Sequence, residues 1–422
     1  MATGHRSEEE KKEYIDTPEV LEEKVSLLAE MVITSQHMTM FTGAGISTAC
    51  GIPDYRSGPD TTLATGPGCW TLKDMKKENH PALKKQAAAG KQEATKATLR
   101  TSIQKAYPSL THMAMVELME RNHLKYIVSQ NVDGLHRKSG IPAHNLSELH
   151  GNTNLEICEN CGREYMRDTR VRVAKRCVDH RTGRKCESPG CNGHLKDTII
   201  NFGEQLNQNI LELGYQNCGA SDLCISMGTS LRVSPANEMP KQCAQNGGQL
   251  VICNLQKTPL DNLATLVIHA KCDDIMKLLM QKLGYQIPAW QIKKRAEINL
   301  IEDNTKIQVR GVDPERQPFH LFEKISVSGF PQTAPKVFPS EVQKKQPYKY
   351  TLPSEVDQFS VEFESMGHYN EKNIRVKVNM AELLQHQSLV YEMVMDSQNG
   401  NWELVTVQDP DRNIVGVADF TQ

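Results

Sequence analysis

The sequence predicts an α/β protein in which a parallel sheet is covered by helices on both faces, followed by a smaller β-rich domain. Up to about residue 285, short and continuously apolar segments alternate with helical patterns, as in parallel sheets that are buried on both faces. After about residue 287 the segments alternate polar and apolar residues instead, which is typical of half-buried antiparallel strands. Within the first region, five cysteines fall between residues 158 and 191, which indicates a metal site.

Length, charge and the distribution of apolar residues indicate a soluble protein of two or three domains. The chain has 422 residues, enough for two or three domains. Its 49 Lys and Arg residues against 51 Asp and Glu residues give a net charge of −2, which excludes a global attraction to nucleic acid or anionic lipid. No apolar run approaches the ~20 residues that cross a bilayer, and the N-terminus has no apolar core like that of a signal peptide. We expect a soluble, intracellular protein with no membrane partner, whose 12 cysteines are not a disulfide framework.

The elements divide the chain into a tail and two domains. Residues 1–17 are charged and mostly polar and are predicted to be disordered. Thr17-Pro18 is a helix start, since Thr can cap and Pro fits the first helical position. Further strands are predicted at 126–128, 198–200, 223–226, 250–252 and 266–268. We therefore place one domain at 18–290 and a β-rich domain without a catalytic motif at 300–415, for which an interaction or scaffolding role is expected.

A glycine-rich segment, Gly43-Ala44-Gly45, follows a strand predicted at 38–41. Glycines at this point let the backbone approach a pyrophosphate, and the N-terminus of the next helix favours its negative charge. The dinucleotide fingerprint is incomplete because Thr48 stands where its third glycine would be, so a plain turn is the alternative. The polar cluster at 51–56 lies just beyond and would, alone, be an ordinary proline-containing loop.

Polar residues also follow the next strand. Asn131 and Asp133 lie in the run 129–136, and side chains at the carboxyl end of a parallel strand lie where open α/β sheets bind ligands. They are candidates for binding an amide or a ribose, with local turn capping as the alternative. Farther along, His150 precedes a glycine. Imidazole suits a base near neutral pH, although a lone histidine is more often structural.

The cysteine-rich region predicts a zinc site. Cys158 and Cys161 have the spacing of a zinc knuckle, and Cys186 and Cys191 form a second pair. Four thiolates in a tetrahedral array make a closed structural site with no position for water. The second pair departs from the usual pattern because four residues separate its cysteines. Cys177 therefore stays an alternative ligand, although a Ser-Pro-Gly turn between the second pair favours Cys186 and Cys191.

Together these motifs resemble those of the sirtuins, the NAD-dependent protein-lysine deacylases. The matching motifs occur in one order: GAGIST at 43–48, GIPDYR at 51–56, QNVDGLH at 130–136, LHGN at 149–152, the cysteine pairs, NFGE at 201–204, GTSL at 228–231 and the segment 233–237. They cover about residues 20–285, nearly two-thirds of the chain, and their fixed order is far more specific than any one motif. The segments 110–113, 128–131 and 195–199 look most like the nuclear class IV branch.

The resemblance implies a Rossmann-like domain with a zinc-binding module inserted at about 151–195 and NAD bound in the cleft between them. His150 would be the catalytic base that deprotonates a ribose hydroxyl, with Asn131 and Asp133 in the nicotinamide pocket. One structural zinc ion would take no part in the chemistry. The residues implied to contact NAD are Gly43, Ala44, Gly45, Thr48, Ile52, Asp54, Tyr55, Arg56, Trp70, Gln130, Gly228, Thr229, Ser230, Asn254, Gln256 and Cys272.

Three features depart from the family pattern. Tyr55 stands where the family more commonly has Phe. The segment between Arg56 and Trp70 is longer than in the class IV branch. The C-terminal extension has no recognised counterpart, so its role is open.

The resemblance implies an NAD-dependent protein deacylase (deacetylase) that transfers the acyl group of a lysine to ADP-ribose and releases nicotinamide. Its substrates would be histones or other chromatin proteins. It would be located in the nucleus or otherwise in the cytoplasm, and chromatin partners would bind the C-terminal domain. Protein mono-ADP-ribosylation uses the same activated ribose and is the alternative activity. A non-catalytic zinc-stabilised chromatin reader is a third hypothesis, against which the intact His150, Asn131 and Asp133 argue.

Overall fold

The protein is described by a computed structural model over residues 8–77, 101–173, 179–188, 190–312, 316, 318–328, 348–353, 356–369, 371–395 and 401–406. The chain divides into two compact units, each built from two separated stretches. The first unit is Met1–Thr153 with Ile199–Trp290, and the second is Asn154–Thr198 with Gln291–Gln422. Within the described residues, no helix has both the length and the apolar character needed to cross a membrane.

Six parallel strands form the sheet of the first unit. Their order across the sheet is Leu266–Ile268, Gln249–Cys253, Leu223–Met227, Met38–Thr42, Leu124–Ser129 and Leu146–Glu148. The chain runs outward from Met38–Thr42 to one edge, returns to the middle at Leu223–Met227, and runs outward to the other edge. This is the strand order of the Rossmann fold, whose ligand crevice lies where the two halves meet.

Helices pack on both faces of this sheet. Pro18–Thr34, Leu110–Glu120 and Cys272–Leu283 contribute to one apolar cluster, and Gln208–Ala220 and Glu238–Gln245 contribute to the other. The neighbours Met40 and Phe41 are fully buried in different clusters, because successive side chains of a strand point to opposite faces. Burial on both faces explains the continuous apolar runs in the sequence. The other α-helices in the described part of this unit are Glu8–Lys11, Cys69–Lys77 and Leu135–Ser139, and its 3-10 helices are Ala44–Cys50, Ile103–Lys105, Ala143–Asn145 and Asp261–Leu263.

Most predicted elements of this unit are confirmed. The strands at 38–41, 126–128, 223–226, 250–252 and 266–268 lie within or match observed strands, and a helix begins at Pro18. Thr17 caps that helix, with its hydroxyl accepting from the backbone N–H of Val20 at 3.4 Å. The strand predicted at 198–200 is wrong. The apolar pair Ile199 and Ile200 lines the cavity described below, and the N–H of Ile200 donates to the carbonyl of His150 at 3.0 Å.

The predicted tail is ordered where the structure describes it. The N–H of Tyr14 donates to the carbonyl of Leu255 at 2.8 Å, and the N–H of Asp16 donates to the carbonyl of His269 at 2.7 Å. The expectation of disorder over 1–17 is therefore corrected for residues 13–16, and the first seven residues lie outside the described part of the chain. Composition misled here because the segment takes its hydrogen-bond partners from loops far away in sequence.

The described residues of the second unit form three sheets. The first sheet has the strand order Tyr348–Thr351, Lys306–Val312, Ile292–Ile301, Ser388–Met395 and Trp402–Thr406. The second has the order Phe319–His320, Glu164–Arg167, Leu155–Cys158, His194–Asp197 and Arg181–Lys185. The third has the order Phe322–Ser328, Gln358–Ser365 and Ile374–Asn379. The helix Met380–His386 follows the last of these strands. The C-terminal region is therefore β-rich and mainly antiparallel, as predicted.

The cysteine-rich module and the C-terminal region share one of these sheets. The two-residue strand Phe319–His320 pairs in parallel with Glu164–Arg167 of the module. The backbone N–H of Asp168 extends this pairing by donating to the carbonyl of His320 at 3.0 Å. The sequence places the module at about 151–195 inside the first domain and a separate domain at 300–415, whereas the structure groups them in one unit.

Candidate functional site

A cavity of about 590 Å³ lies in the first unit, where loops follow the central strands Met38–Thr42 and Leu223–Met227. Its volume is that of a site for a small molecule or cofactor. The lining residues that the sequence also singles out are Gly43, Ala44, Gly45, Thr48, Asp54, Tyr55, Arg56, Trp70, Gln130, Asn131, His150, Gly228, Thr229, Ser230, Asn254, Gln256 and Cys272. Ile52 and Asp133 are not among the residues that line the cavity.

Two glycine loops meet at the base of the cavity. The N–H of Gly43 donates to the carbonyl of Met227 at 3.1 Å, and the N–H of Gly45 donates to the carbonyl of Gly228 at 2.8 Å. Gly228 has a φ of +63°, a conformation that glycine adopts without steric cost. Backbone therefore forms this wall of the cavity, as a site for a pyrophosphate requires.

The contact between the two loops leaves no room for a methyl group. A Cβ atom on Gly45 would lie 2.6 Å from the Cα of Gly228. We expect Gly45→Ala to lower the free energy of unfolding by about 1–3 kcal/mol, because the backbone must shift to admit the methyl group. Chemical denaturation measures this change. Gly58→Ala is the control, since a Cβ there would lie 3.6 Å from its nearest neighbours, and equal losses in the two variants would contradict the steric explanation.

Arg56 is stacked and desolvated beside the cavity. Its guanidinium carbon lies 4.5 Å from the ring centroid of Trp70, and the Trp70 ring also contacts Tyr55 and Phe202 at centroid distances of 5.1 and 5.7 Å. Burial lowers the pKa of Arg56, and its Nε has no hydrogen-bond partner among the described residues. A buried guanidinium with an unused donor favours an anionic ligand such as a phosphate.

Amide and hydroxyl groups line the remainder of the cavity. Gln130 Nε2 donates to Thr229 Oγ1 at 2.8 Å, and Asn254 Nδ2 donates to the carbonyl of Gln256 at 2.8 Å. Cys272 begins a helix at the cavity wall, and burial raises the pKa of its thiol to about 12. These neutral donors and acceptors suit the hydroxyls of a sugar, and the thiol offers an uncharged contact.

His150 presents an unprotonated ring nitrogen at neutral pH. Its Nδ1 lies 2.9 Å from the backbone carbonyl of Gln130. Because a carbonyl oxygen only accepts, Nδ1 carries the proton, and in the neutral ring Nε2 is left with its lone pair. Burial lowers the pKa of His150, which favours the neutral form further. The side chain lines the cavity, so the arrangement provides a base in contact with a ligand there.

Asn131 and Asp133 form a hydrogen-bonded layer with the first glycine loop. Asn131 Nδ2 donates to the carbonyl of Gly43 at 3.1 Å. Asp133 accepts from the hydroxyl of Ser47 at 2.7 Å and from the N–H of Leu135 at 2.9 Å. Asn131 lines the cavity, whereas Asp133 does not and instead holds Ser47 in position.

Four cysteines of the second unit form a cluster that fits one zinc ion. The sulfurs of Cys158, Cys161, Cys186 and Cys191 all lie within 4.8 Å of one another. The Cys158–Cys191 and Cys161–Cys186 sulfur distances are 3.7 and 3.6 Å, close to the roughly 3.8 Å edge of a tetrahedron with Zn–S bonds of about 2.3 Å. Cys177 lies outside the described residues. The four described cysteines are thus suited to a structural zinc ion.

Neighbouring groups hold these sulfurs in place. The backbone N–H groups of Asn160 and Cys161 point at the sulfur of Cys158, at 3.4 and 3.5 Å. The hydroxyl of Tyr165 lies 3.1 Å from the sulfur of Cys186. Outer-shell hydrogen bonds of this kind orient the ligands of a metal site.

Several lining residues were missed by the sequence. Glu13 lies in the supposed tail, and Ser57, Leu63 and Ala64 lie in the longer segment after Arg56. Residues 199–204 also line the cavity, whereas the sequence predicts a strand at 198–200 and a family motif at 201–204 and assigns neither a contact with the ligand. The available signal was an apolar pair directly before a polar motif.

The chain is similar in sequence to known proteins of one family. The model of the Sir2 family matches residues 43–235. NAD-dependent protein deacetylase SRT1 of Arabidopsis thaliana is 40% identical over 66% of this chain and 53% of its own length. The SRT1 protein of Oryza sativa subsp. indica is 37% identical over 80% of this chain and 64% of its own length. This chain therefore spans between half and two-thirds of those two relatives.

A third relative is matched over most of its length. NAD-dependent protein deacetylase Sirt6 of Drosophila melanogaster is 36% identical to this chain, over 66% of the chain and 81% of the relative. Such identity over most of a protein reflects common ancestry and a common fold. The family that the motifs predict is thereby confirmed: this chain belongs to the Sir2 family, the sirtuins.

Proposed function

We propose that the chain is an NAD-dependent protein-lysine deacylase, which transfers an acyl group from lysine to ADP-ribose and releases nicotinamide. The observation that carries this proposal is the position of His150. It is a neutral base in the wall of a cavity whose other lining residues suit a dinucleotide. Family membership and the names of the relatives, which are NAD-dependent protein deacetylases, support it.

The residues of the cavity fit NAD. The glycine loops and Arg56 would hold the diphosphate, because glycine lets the backbone approach it closely and Arg56 is a desolvated cation. Gln130, Asn254 and Gln256 would hold the riboses, and Asn131 the nicotinamide amide. When bound, NAD would supply an activated ribose carbon. His150 would accept a proton at Nε2 from a ribose hydroxyl, with Nδ1 held by the carbonyl of Gln130.

Zinc has a structural role in this proposal. Four cysteine sulfurs complete a tetrahedral shell and leave no open position for water or substrate. The conformation of the module, and not the transfer step, depends on the metal.

The substrate is an acylated lysine on a protein, and we propose histones or other chromatin proteins as its source, in the nucleus. The relatives' names support a protein substrate. The preference for chromatin, the nuclear location and a role of the C-terminal region in binding chromatin partners rest on the resemblance to the class IV branch.

Mass spectrometry of acylated peptides tests the activity. Purified protein is incubated with acetylated and long-chain-acylated histone peptides, with and without NAD. We expect NAD-dependent loss of the acyl mass and formation of acylated ADP-ribose. Addition of an ADP-ribose mass to protein without acyl loss would favour mono-ADP-ribosylation, and neither product from folded, zinc-containing protein would favour a non-catalytic reader.

A further inference from the structure

We propose that Glu13 is a positioning residue whose carboxylate holds the loop at 57–68 against the cavity and thereby sets the affinity for the dinucleotide. This inference rests on the proposed function, because the ligand of the cavity is taken to be NAD. It gives a role to a residue of the N-terminal segment and to the segment that is longer here than in the class IV pattern.

The carboxylate of Glu13 is bonded to two consecutive residues of this loop. Oε1 accepts from the hydroxyl of Thr61 at 2.5 Å. Oε2 accepts from both the backbone N–H and the hydroxyl of Thr62, each at 2.9 Å. Hydrogen bonds to a charged acceptor are stronger than neutral ones, so both oxygens of one side chain fix the far end of the loop.

The loop forms part of the cavity wall. Its two ends meet where the N–H of Gly68 donates to the carbonyl of Ser57 at 2.9 Å, and the hydroxyl of Ser57 donates to Asp54 at 2.7 Å. Between these ends, Leu63 and Ala64 line the cavity directly after the two threonines. A shift of the threonines therefore moves residues that contact the ligand.

The segment that carries Glu13 is itself bonded to another part of the cavity wall. Glu13 forms an antiparallel bridge with Gln256, and Gln256 Nε2 donates to the carbonyl of Lys11 at 3.3 Å. An ion pair joins Glu10 to Arg232 at 2.9 Å. Gln256 and Glu13 both line the cavity, so Glu13 connects the loop to the wall that is proposed to bind a ribose. A loop ordered before binding reduces the conformational entropy that binding must overcome.

Calorimetric titration of the full chain with NAD tests the role of Glu13. We expect Glu13→Ala to weaken NAD binding about tenfold, because it removes three hydrogen bonds to a charged group. Amide hydrogen exchange in 57–68 should accelerate in this variant without NAD. In turnover, the KM for NAD should rise while kcat and the KM for peptide stay unchanged, a split that general destabilisation does not produce. Glu23→Ala, at an exposed position of the helix Pro18–Thr34, is the control.

A second variant leaves the N-terminal segment intact. Thr61→Val removes one donor to Glu13, and we expect about threefold weaker NAD binding with the same pattern of exchange. If the wild-type chain does not bind NAD, the proposed function fails. If it binds NAD and both variants bind equally well with unchanged exchange, the positioning role of Glu13 is overturned. If Glu13→Ala does not fold, Thr61→Val alone decides between these results.

Discussion

Replacing His150 with alanine is expected to lower the rate of NAD-dependent deacylation about a hundred- to ten-thousand-fold, the usual contribution of a positioned general base. The His150 side chain forms part of the cavity wall. Its Nδ1 is bonded to the carbonyl of Gln130. NAD affinity should change little, because the glycine loops and Arg56 are untouched. Single-turnover assays at saturating NAD and peptide measure the rate.

The matched control is His144→Ala. His144 is exposed and does not line the cavity, so its removal should leave the rate within about twofold of wild type. Equal losses in the two variants, or an active His150→Ala protein, would remove His150 from the role of base.

The same residue sets the acid side of the pH profile. Burial lowers the pKa of His150 below its ordinary value of 6.5. A base must be deprotonated to act, so activity is retained as the pH falls to 6.5 and is lost only as it passes through the lower pKa. We expect the acid limb of kcat/KM to lie below pH 6.5 and to be absent from the residual activity of His150→Ala. A limb at or above pH 6.5 would contradict the assigned environment.

The second large effect is expected from loss of zinc. Binding of a structural zinc ion contributes about 10–16 kcal/mol to the folded state of small zinc modules. We expect Cys161→Ser to abolish stoichiometric zinc and to unfold the module, measured by elemental analysis and by protease susceptibility of residues 154–198. Cys161 is exposed, so the change removes a ligand without opening a cavity in the core.

Another exposed cysteine separates the metal effect from the chemistry of the substitution. Cys69 is exposed but lies outside the four-cysteine cluster, and Cys69→Ser should retain one zinc ion per chain. A Cys161→Ser protein that kept its zinc and its resistance to protease would show that Cys161 is not a ligand. Because Phe319–His320 pairs with the module, we expect new cleavage near residue 320 as well when zinc is lost.

The parallel sheet was predictable because both of its faces are buried. The strand Leu223–Met227 is buried along its whole length, so its sequence is apolar except for Ser226, and it ends at the glycine loop that helps to form the cavity. The glycine loop and His150 could be singled out because each lies in a short recognisable motif, although their contacts with Gly228 and Gln130 are distant in sequence. The motifs and their order therefore named most of the residues that line the cavity.

Other features depend on partners that are distant in sequence. Glu13 lies in a polar segment, and its bonds to Thr61 and Thr62 follow from the fold and not from any local pattern. The strand Phe319–His320 has two residues, too few to show a period. Ile199 and Ile200 are as apolar as a strand, yet they line a cavity. In each case the role of the segment is set by contacts between parts of the chain that are distant in sequence, which composition and periodicity do not report.

The sheet shared by the cysteine-rich module and the C-terminal region constrains how the chain matures on the ribosome. Glu164–Arg167 is synthesised about 150 residues before the strand Phe319–His320 that pairs with it. At typical elongation rates this is an interval of about 10 to 30 seconds. During that interval the edge of the module presents unpaired backbone groups, which is the condition that favours aggregation. A nascent or truncated chain that ends near residue 290 would keep this edge open permanently, so the C-terminal region completes a fold that begins far upstream.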